Sequence, residues 1–211
     1  AIGNPKGALE LAGQALAIYR EMFGERHPDT ARSLNNVAGL TNALGNPKRA
    51  LELAEETLAI QRELFGERHP NTATALSNVA TYTNALGNPK RALELAELAL
   101  AIRRELFGER HPDTVGSLSN IAIYINALGN PQRALELAEL ALAIQRELFG
   151  ERHPDTALLL NNVASYTDAL GNPKRALELA EEALAIRREL VGECHPDTAT
   201  SFRNIAIYLR S

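Results

Sequence analysis

Residues 46–87 read NPKRALELAEETLAIQRELFGERHPNTATALSNVATYTNALG, and this stretch decides the fold. It opens on Asn46-Pro47, a side-chain acceptor for free N–H groups followed by a residue suited to the first helical turn. Ala50, Leu51, Ala54, Leu58 and Leu64 then recur at helical spacing, with Leu53 and Ile60 widening the apolar arc. Gly66 ends that run and is expected to adopt the left-handed conformation that follows many helices. His69-Pro70 opens a second helix whose buried face reads Leu76, Val79, Ala80 and Thr83. Gly87 closes it, and the next Asn-Pro pair follows at once.

The same text fills the chain. Gly-Asn-Pro recurs from Gly3, Gly45, Gly87, Gly129 and Gly171, and His-Pro from His27, His69, His111, His153 and His195. Both series step by 42 residues without an insertion, so five periods account for 210 of the 211 positions. A helix pair cannot bury its apolar faces alone and must stack on its neighbours. The sequence therefore predicts one all-α solenoid over residues 1–211, beginning with a longer helix at 3–23 and ending with a shorter one at 196–210. Asp29, Asp113, Asp155 and Asp197 fall in the first turn of the shorter helices, where negative charge suits the helix dipole. The longer helix is nearly constant text, with apolar residues on two sides and alanines such as Ala50, Ala54, Ala92, Ala96 and Ala99 for close backbone approach. The shorter helix varies more: Arg32, Thr74, Gly116, Leu158 and Thr200 occupy one equivalent exposed position.

Composition narrows the function. A formal net charge of -4 gives no basic footprint for nucleic acid. Apolar runs fall far short of the ~20 residues that cross a bilayer. The single cysteine, Cys194, excludes an internal disulfide framework and fits a reducing compartment, so a cytoplasmic setting is expected. The start at Ala1, with no initiator Met and no signal-peptide pattern, suggests a piece of something longer. No phosphate loop, paired catalytic carboxylates or zinc spacing is present, so neither an enzyme nor a cofactor is expected.

The pattern Leu76, Asn78-Val79-Ala80, Gly87 and Ala92, repeated throughout, resembles the tetratricopeptide signature. Its 42-residue period and His-Pro-Asp-Thr entry are similar to the long repeats of kinesin light chains and of many bacterial multi-repeat proteins. HEAT repeats have a comparable period of ~40–47 residues and remain the structural alternative. The glycine between the helices and the alanine ladder stand against them. The resemblance implies a right-handed superhelix of stacked antiparallel pairs that binds an extended peptide or protein segment in a groove lined by the shorter helices.

On that implication, helical spacing places a stripe of residues in the groove. It comprises Arg32, Asn35, Asn36, Gly39 and Asn42, then Thr74, Ser77, Asn78, Thr81 and Asn84. It continues through Gly116, Ser119, Asn120, Ile123 and Asn126, then Leu158, Asn161, Asn162, Ser165 and Asp168. It ends with Thr200, Arg203, Asn204, Ile207 and Arg210. Asn36, Asn78, Asn120, Asn162 and Asn204 form a ladder whose carboxamides can pair with both N–H and C=O of a peptide backbone. The same amides can instead bond neighbouring helices and hold the solenoid's pitch. Basic residues in the stripe are only Arg32, Arg203 and Arg210, opposed by Asp168, so no preference for acidic peptides is carried over. Tyr82, Tyr124, Tyr166 and Tyr208, one turn beyond the ladder, read as packing residues at a helix interface, with stacking on a ligand as the alternative. The five histidines lie one per repeat and do not converge as metal ligands must, so they read as capping residues. Cys194 stands where other repeats carry arginine and reads as a neutral surface substitution.

The first and last helices lack a neighbour on one side. Ala8, Leu9 and Ala12 at one end, with Phe202, Ile205 and Ala206 at the other, are expected to expose apolar surface and to stack copies head to tail. Two functions are therefore expected: a peptide-binding scaffold, or a spacer that self-assembles without a dedicated ligand.

Overall fold

The computed structural model of the protein describes residues 4–210, so Gly3, where the sequence places the start of the first longer helix, lies outside the described residues. Ten helices and no strand occur among the described residues. The longer type comprises α1 (Pro5–Phe23), α3 (Pro47–Phe65), α5 (Pro89–Phe107), α7 (Pro131–Phe149) and α9 (Pro173–Val191). The shorter type comprises α2 (Pro28–Ala43), α4 (Pro70–Ala85), α6 (Pro112–Ala127), α8 (Pro154–Ala169) and α10 (Pro196–Tyr208). They form two compact units, Ala1–Leu106 and Phe107–Ser211, with the boundary at the C-terminal end of α5.

Both helix starts are built as the sequence dictates. Asn46 Oδ1 accepts the N–H of Arg49 at 3.1 Å, and the Asn-Pro pairs of the other longer helices repeat the bond. In every shorter helix the histidine is the cap: His69 Nδ1 accepts the N–H of Asn71 at 3.1 Å, as His27, His111, His153 and His195 do for residues two ahead. A phenylalanine ring stacks on the histidine in four repeats, with centroids 4.3–4.7 Å apart. The threonine of each His-Pro-Asp/Asn-Thr run closes the joint. Thr72 is fully buried and its hydroxyl donates to the carbonyl of Gly66 at 2.7 Å, tying the end of α3 to the start of α4. The other four threonines make the same bond.

The glycine ends divide into two kinds. After α4, Gly87 N–H donates to Asn84 O and Asn88 N–H to Thr83 O, the paired bonds of a Schellman motif around a positive φ. Gly66, in contrast, has φ +80° and ψ −179°. That is a positive-φ extended conformation open essentially to glycine alone, not the left-handed helical one expected from the sequence.

Consecutive helices pack on one another within each unit, α1 to α4 in the first and α6 to α10 in the second. Leu34 and Leu76 in the first unit, and Leu118 and Leu160 in the second, are sealed from solvent. Each such leucine contributes about 1.5–3 kcal/mol of burial. Ala50, Ala92, Ala134 and Ala176 are fully buried where a larger side chain would push helices apart. Tyr82, Tyr124, Tyr166 and Tyr208 are packing residues within these interiors, and burial pushes the Tyr166 hydroxyl up to about 12. Leu64 departs from its expected core position and is exposed, as are its equivalents Leu106, Leu148 and Leu190 in the last turn of α5, α7 and α9.

Candidate partner-binding clefts on the shorter helices

In the first unit, α2 and α4 lie side by side with α3 beneath them. Among the predicted groove residues, Arg32, Asn36, Gly39, Thr74 and Thr81 are exposed, and Asn35, Asn42, Ser77, Asn78 and Asn84 are half-buried. Asn78 Nδ2 donates to Asn35 Oδ1 at 2.6 Å, so this ladder amide bridges the two helices. Arg32 pairs with Asp29 at 2.9 Å, one helical turn away. Arg32, Asn35, Asn71, Thr74 and Asn78 form the walls of a cleft of about 350 Å³, with Thr57 and Gln61 of α3 as its floor.

The second unit repeats the arrangement with different chemistry. Gly116, Ile123, Leu158, Ser165, Arg203, Ile207 and Arg210 are exposed, whereas Ser119, Asn120, Asn126, Asn162, Asp168, Thr200 and Asn204 are half-buried. Asn162 Nδ2 donates to Ser119 Oγ at 3.2 Å, and Asn204 Nδ2 to Asn161 Oδ1 at 3.1 Å. Asn161 does not face a partner. It is buried, and its own amide donates to the carbonyl of Ala157 at 2.8 Å. A cleft of about 230 Å³ lies between α6 and α8, lined by Val115, Gly116, Ser119, Leu158 and Leu159 above Gln145. It is the first cleft shifted by two repeats, with Gly116 for Arg32, Leu158 for Thr74 and Asp155 for Asn71.

Sequence reasoning missed the floor. Gln61, Arg103, Gln145 and Arg187 occupy one position of the longer helices, and all four are buried. Arg103 Nη1 donates to Ser77 Oγ at 3.0 Å. Arg187 Nη1 donates to the Asp197 carbonyl and to Ser201 Oγ, each at 2.8 Å. Burial lowers the Arg187 pKa, and the nearby Asp197 partly offsets that. The available signal was the alternation Leu-Ala-Ile-Gln and Leu-Ala-Ile-Arg from one longer helix to the next.

The opposite side of each unit is held by ions rather than amides. Arg20 of α1 reaches Glu25 and, in the next longer helix, Glu56; Arg146 reaches Glu151 and Glu182 in the same way. Loop arginines add Arg68–Glu105 and Arg152–Glu189. Cys194 takes the position of those arginines and is exposed.

At the ends, Ala8, Phe202 and Ala206 are exposed, and Leu9, Ala12 and Ile205 are half-buried. The guanidinium of Arg188 lies 5.0 Å from the centre of the Phe202 ring. The most open apolar residues of α1 are ones the sequence reading passed over: Leu11 is 67% exposed and Ile18 55%, whereas their counterparts Leu53 and Ile60 are 3% and 6% exposed. No helix among the described residues is long and apolar enough to cross a membrane.

The tetratricopeptide repeat family model matches residues 1–63, 34–105, 74–145 and 113–189. Among solved structures, BtubC (BKLC) from P. vanneervenii is similar at 24% identity and a TM-score of 0.79, over 99% of this chain and 84% of that one. A crystal structure of a Podosopora anserina putative kinesin light chain with nearly identical TPR-like repeats, in a single-substitution form, is 30% identical. It has a TM-score of 0.70 and covers 88% of this chain and 87% of that one. MamA shares the fold at 14% identity and a TM-score of 0.57, over 87% of this chain and 91% of that one. No curated protein matches the sequence. The capped helix pairs, the 42-residue period and these matches agree: the chain belongs to the tetratricopeptide repeat family, in its kinesin light chain-like form.

Proposed function

We propose that this chain is a non-catalytic interaction scaffold that holds an extended peptide, or a segment of a partner protein, along its shorter helices. The observation that carries the reading is the pair of equivalent clefts. Each lies between two shorter helices over a longer one, and the side chains that differ between repeats line it. A spacer has no need of such variation; a surface that reads successive residues of a ligand does. The family supports the coarse statement, since tetratricopeptide arrays are generally protein-interaction modules. The unbroken period favours a single working array, and the lone cysteine suits a cytoplasmic setting. Hydrogen exchange on the chain with a peptide selected from a random library tests the reading. Protection is expected on α2, α4, α6 and α8. Protection confined to α3 and α7 would refute it.

A second reading rests on the end faces. Leu11 and Ile18 on α1 are open where Leu53 and Ile60 are buried, and Phe202 on α10 is open where its counterpart Leu160 is sealed. The α1 of a second copy would cover α10 as the interior repeats cover each other, giving an open, non-closing chain of molecules. Analytical ultracentrifugation across concentration decides. Association that disappears when a capping helix is appended supports end-to-end stacking, and a monomer in both forms removes it.

A further inference from the structure

We infer that the cleft between α2 and α4 takes an uncharged, hydrogen-bond-donating side chain, such as that of glutamine or asparagine, with Gln61 as its specificity-determining residue. This rests on the peptide-binding reading above and names what one of its clefts selects.

The first observation is an unmet acceptor. Gln61 is only 7% exposed and sits on the cleft floor, and no donor among the described residues reaches its buried Oε1. Buried polar atoms in folded proteins are nearly always satisfied, so an acceptor left without a partner beneath the cleft, which a turn of the terminal amide would bring to it, marks a place where a ligand's N–H or O–H gains. The equivalent glutamine of the second unit is not in this state. The Gln145 amide N–H is taken up by His153 Nδ1 at 3.2 Å, and its Oε1 is not a buried acceptor left without a donor among the described residues.

The second observation is charge. Arg32 at the rim is neutralised by Asp29. Asn71 stands on the other wall, where the four other repeats carry an aspartate. No net charge therefore favours a cationic or anionic side chain. Asn35, Asn71 and Thr74 can answer a carboxamide that offers both donor and acceptor. The volume, about 350 Å³, accommodates such a side chain, whereas the narrower second cleft presents Val115, Leu158 and Leu159 to an apolar one.

The test is a positional-scanning library of capped, extended peptides, screened against the whole chain and the variants Gln61→Leu, Gln61→Met and Gln61→Glu. Gln14→Leu, an exposed site on α1, serves as control, and circular dichroism melts confirm folding. The wild type is expected to prefer Gln, Asn, Ser or Thr over Ala and Val at one peptide position by about five- to tenfold. Leu and Met at residue 61 erase that preference, Glu turns it towards Lys and Arg, and the control leaves it unchanged. Sharp preferences indifferent to residue 61, or a wild-type choice of acidic or aromatic side chains there, overturn the inference and leave the groove reading standing. A library with no selected position overturns both.

Discussion

The bond between Asn78 and Asn35 offers a direct measure of how far the asparagine ladder is structural. Asn78 Nδ2 approaches Asn35 Oδ1 at 2.6 Å between two half-buried side chains. A neutral hydrogen bond of this kind contributes a net ~0.5–1.5 kcal/mol. Asn78→Ala and Asn35→Ala should each lower stability by about that amount. The double variant should lose little more, giving a coupling energy of ~1 kcal/mol. Asn36 is an internal control, because it holds the same ladder position as Asn78 but is exposed. Asn36→Ala should stay within ~0.5 kcal/mol of the parent. The assay is urea unfolding followed by far-UV circular dichroism, fitted with nearest-neighbour repeat terms because arrays depart from two-state behaviour. A coupling below ~0.3 kcal/mol, or Asn36→Ala as costly as Asn78→Ala, would refute the reasoning. The amide would then be available to a ligand, as the bare sequence allowed.

Other perturbations follow from single contacts. Thr72→Val keeps the shape of a fully buried side chain but orphans the Gly66 carbonyl, for a loss of ~1–3 kcal/mol in thermal or urea unfolding; Thr72→Ser, which keeps the hydroxyl, should cost less. Gly66→Ala meets no atom within 4 Å, so its ~1–3 kcal/mol penalty is purely that of a side chain at φ +80° and ψ −179°. Gly116→Ala, inside α6 with equal room and no positive φ, should instead raise stability by ~0.5–1 kcal/mol, and equal effects at both glycines would sink the distinction. Burial pushes Tyr166 up to about 12, against about 10 in an unfolded chain. The folded state thus holds a proton that the unfolded state releases first. Its contribution of ~2–3 kcal/mol is complete below about pH 10 and lost as pH rises through about 12. Tyr166→Phe should flatten the alkaline fall in melting temperature, and an unaltered profile would contradict the assignment.

The fold was legible because its determinants are local and repeated. Asn-Pro, His-Pro and glycine each specify backbone within a few residues, and the five copies all read alike. The site was legible only in outline. Whether Asn78 meets a ligand or Asn35 depends on how closely α2 and α4 approach, a distance that no residue within a single repeat encodes. Asn161 looked like its neighbours in the stripe, yet a turn of α8 buries it, and its amide bonds the Ala157 carbonyl. Gln61 escaped notice because Gln-Arg-Glu resembles a solvated helical surface; only the rotation of α3 beneath α2 and α4 makes it a floor. Gly66 was identified as a helix stop correctly, but its ψ is set by the joint that Thr72 closes.

These contacts separate the two tasks of a repeat. Caps, the buried threonine and the arginine–glutamate pairs recur with little change, and they fix geometry without reading anything. On the proposed function, recognition falls to the positions that line the clefts: residues 32, 74, 116 and 158 on the shorter helices, and the buried 61 and 145 on the longer. Because each unit builds its cleft on the same backbone, the chemistry of one can change without disturbing the other. Arg32, Thr74 and Asn71 give way to Gly116, Leu158 and Asp155 at no cost to the caps around them. If the proposed clefts bind as argued, a scaffold of near-identical repeats is selective through about one variable side chain per helix and through whether the acceptor of the floor amide beneath it has a donor.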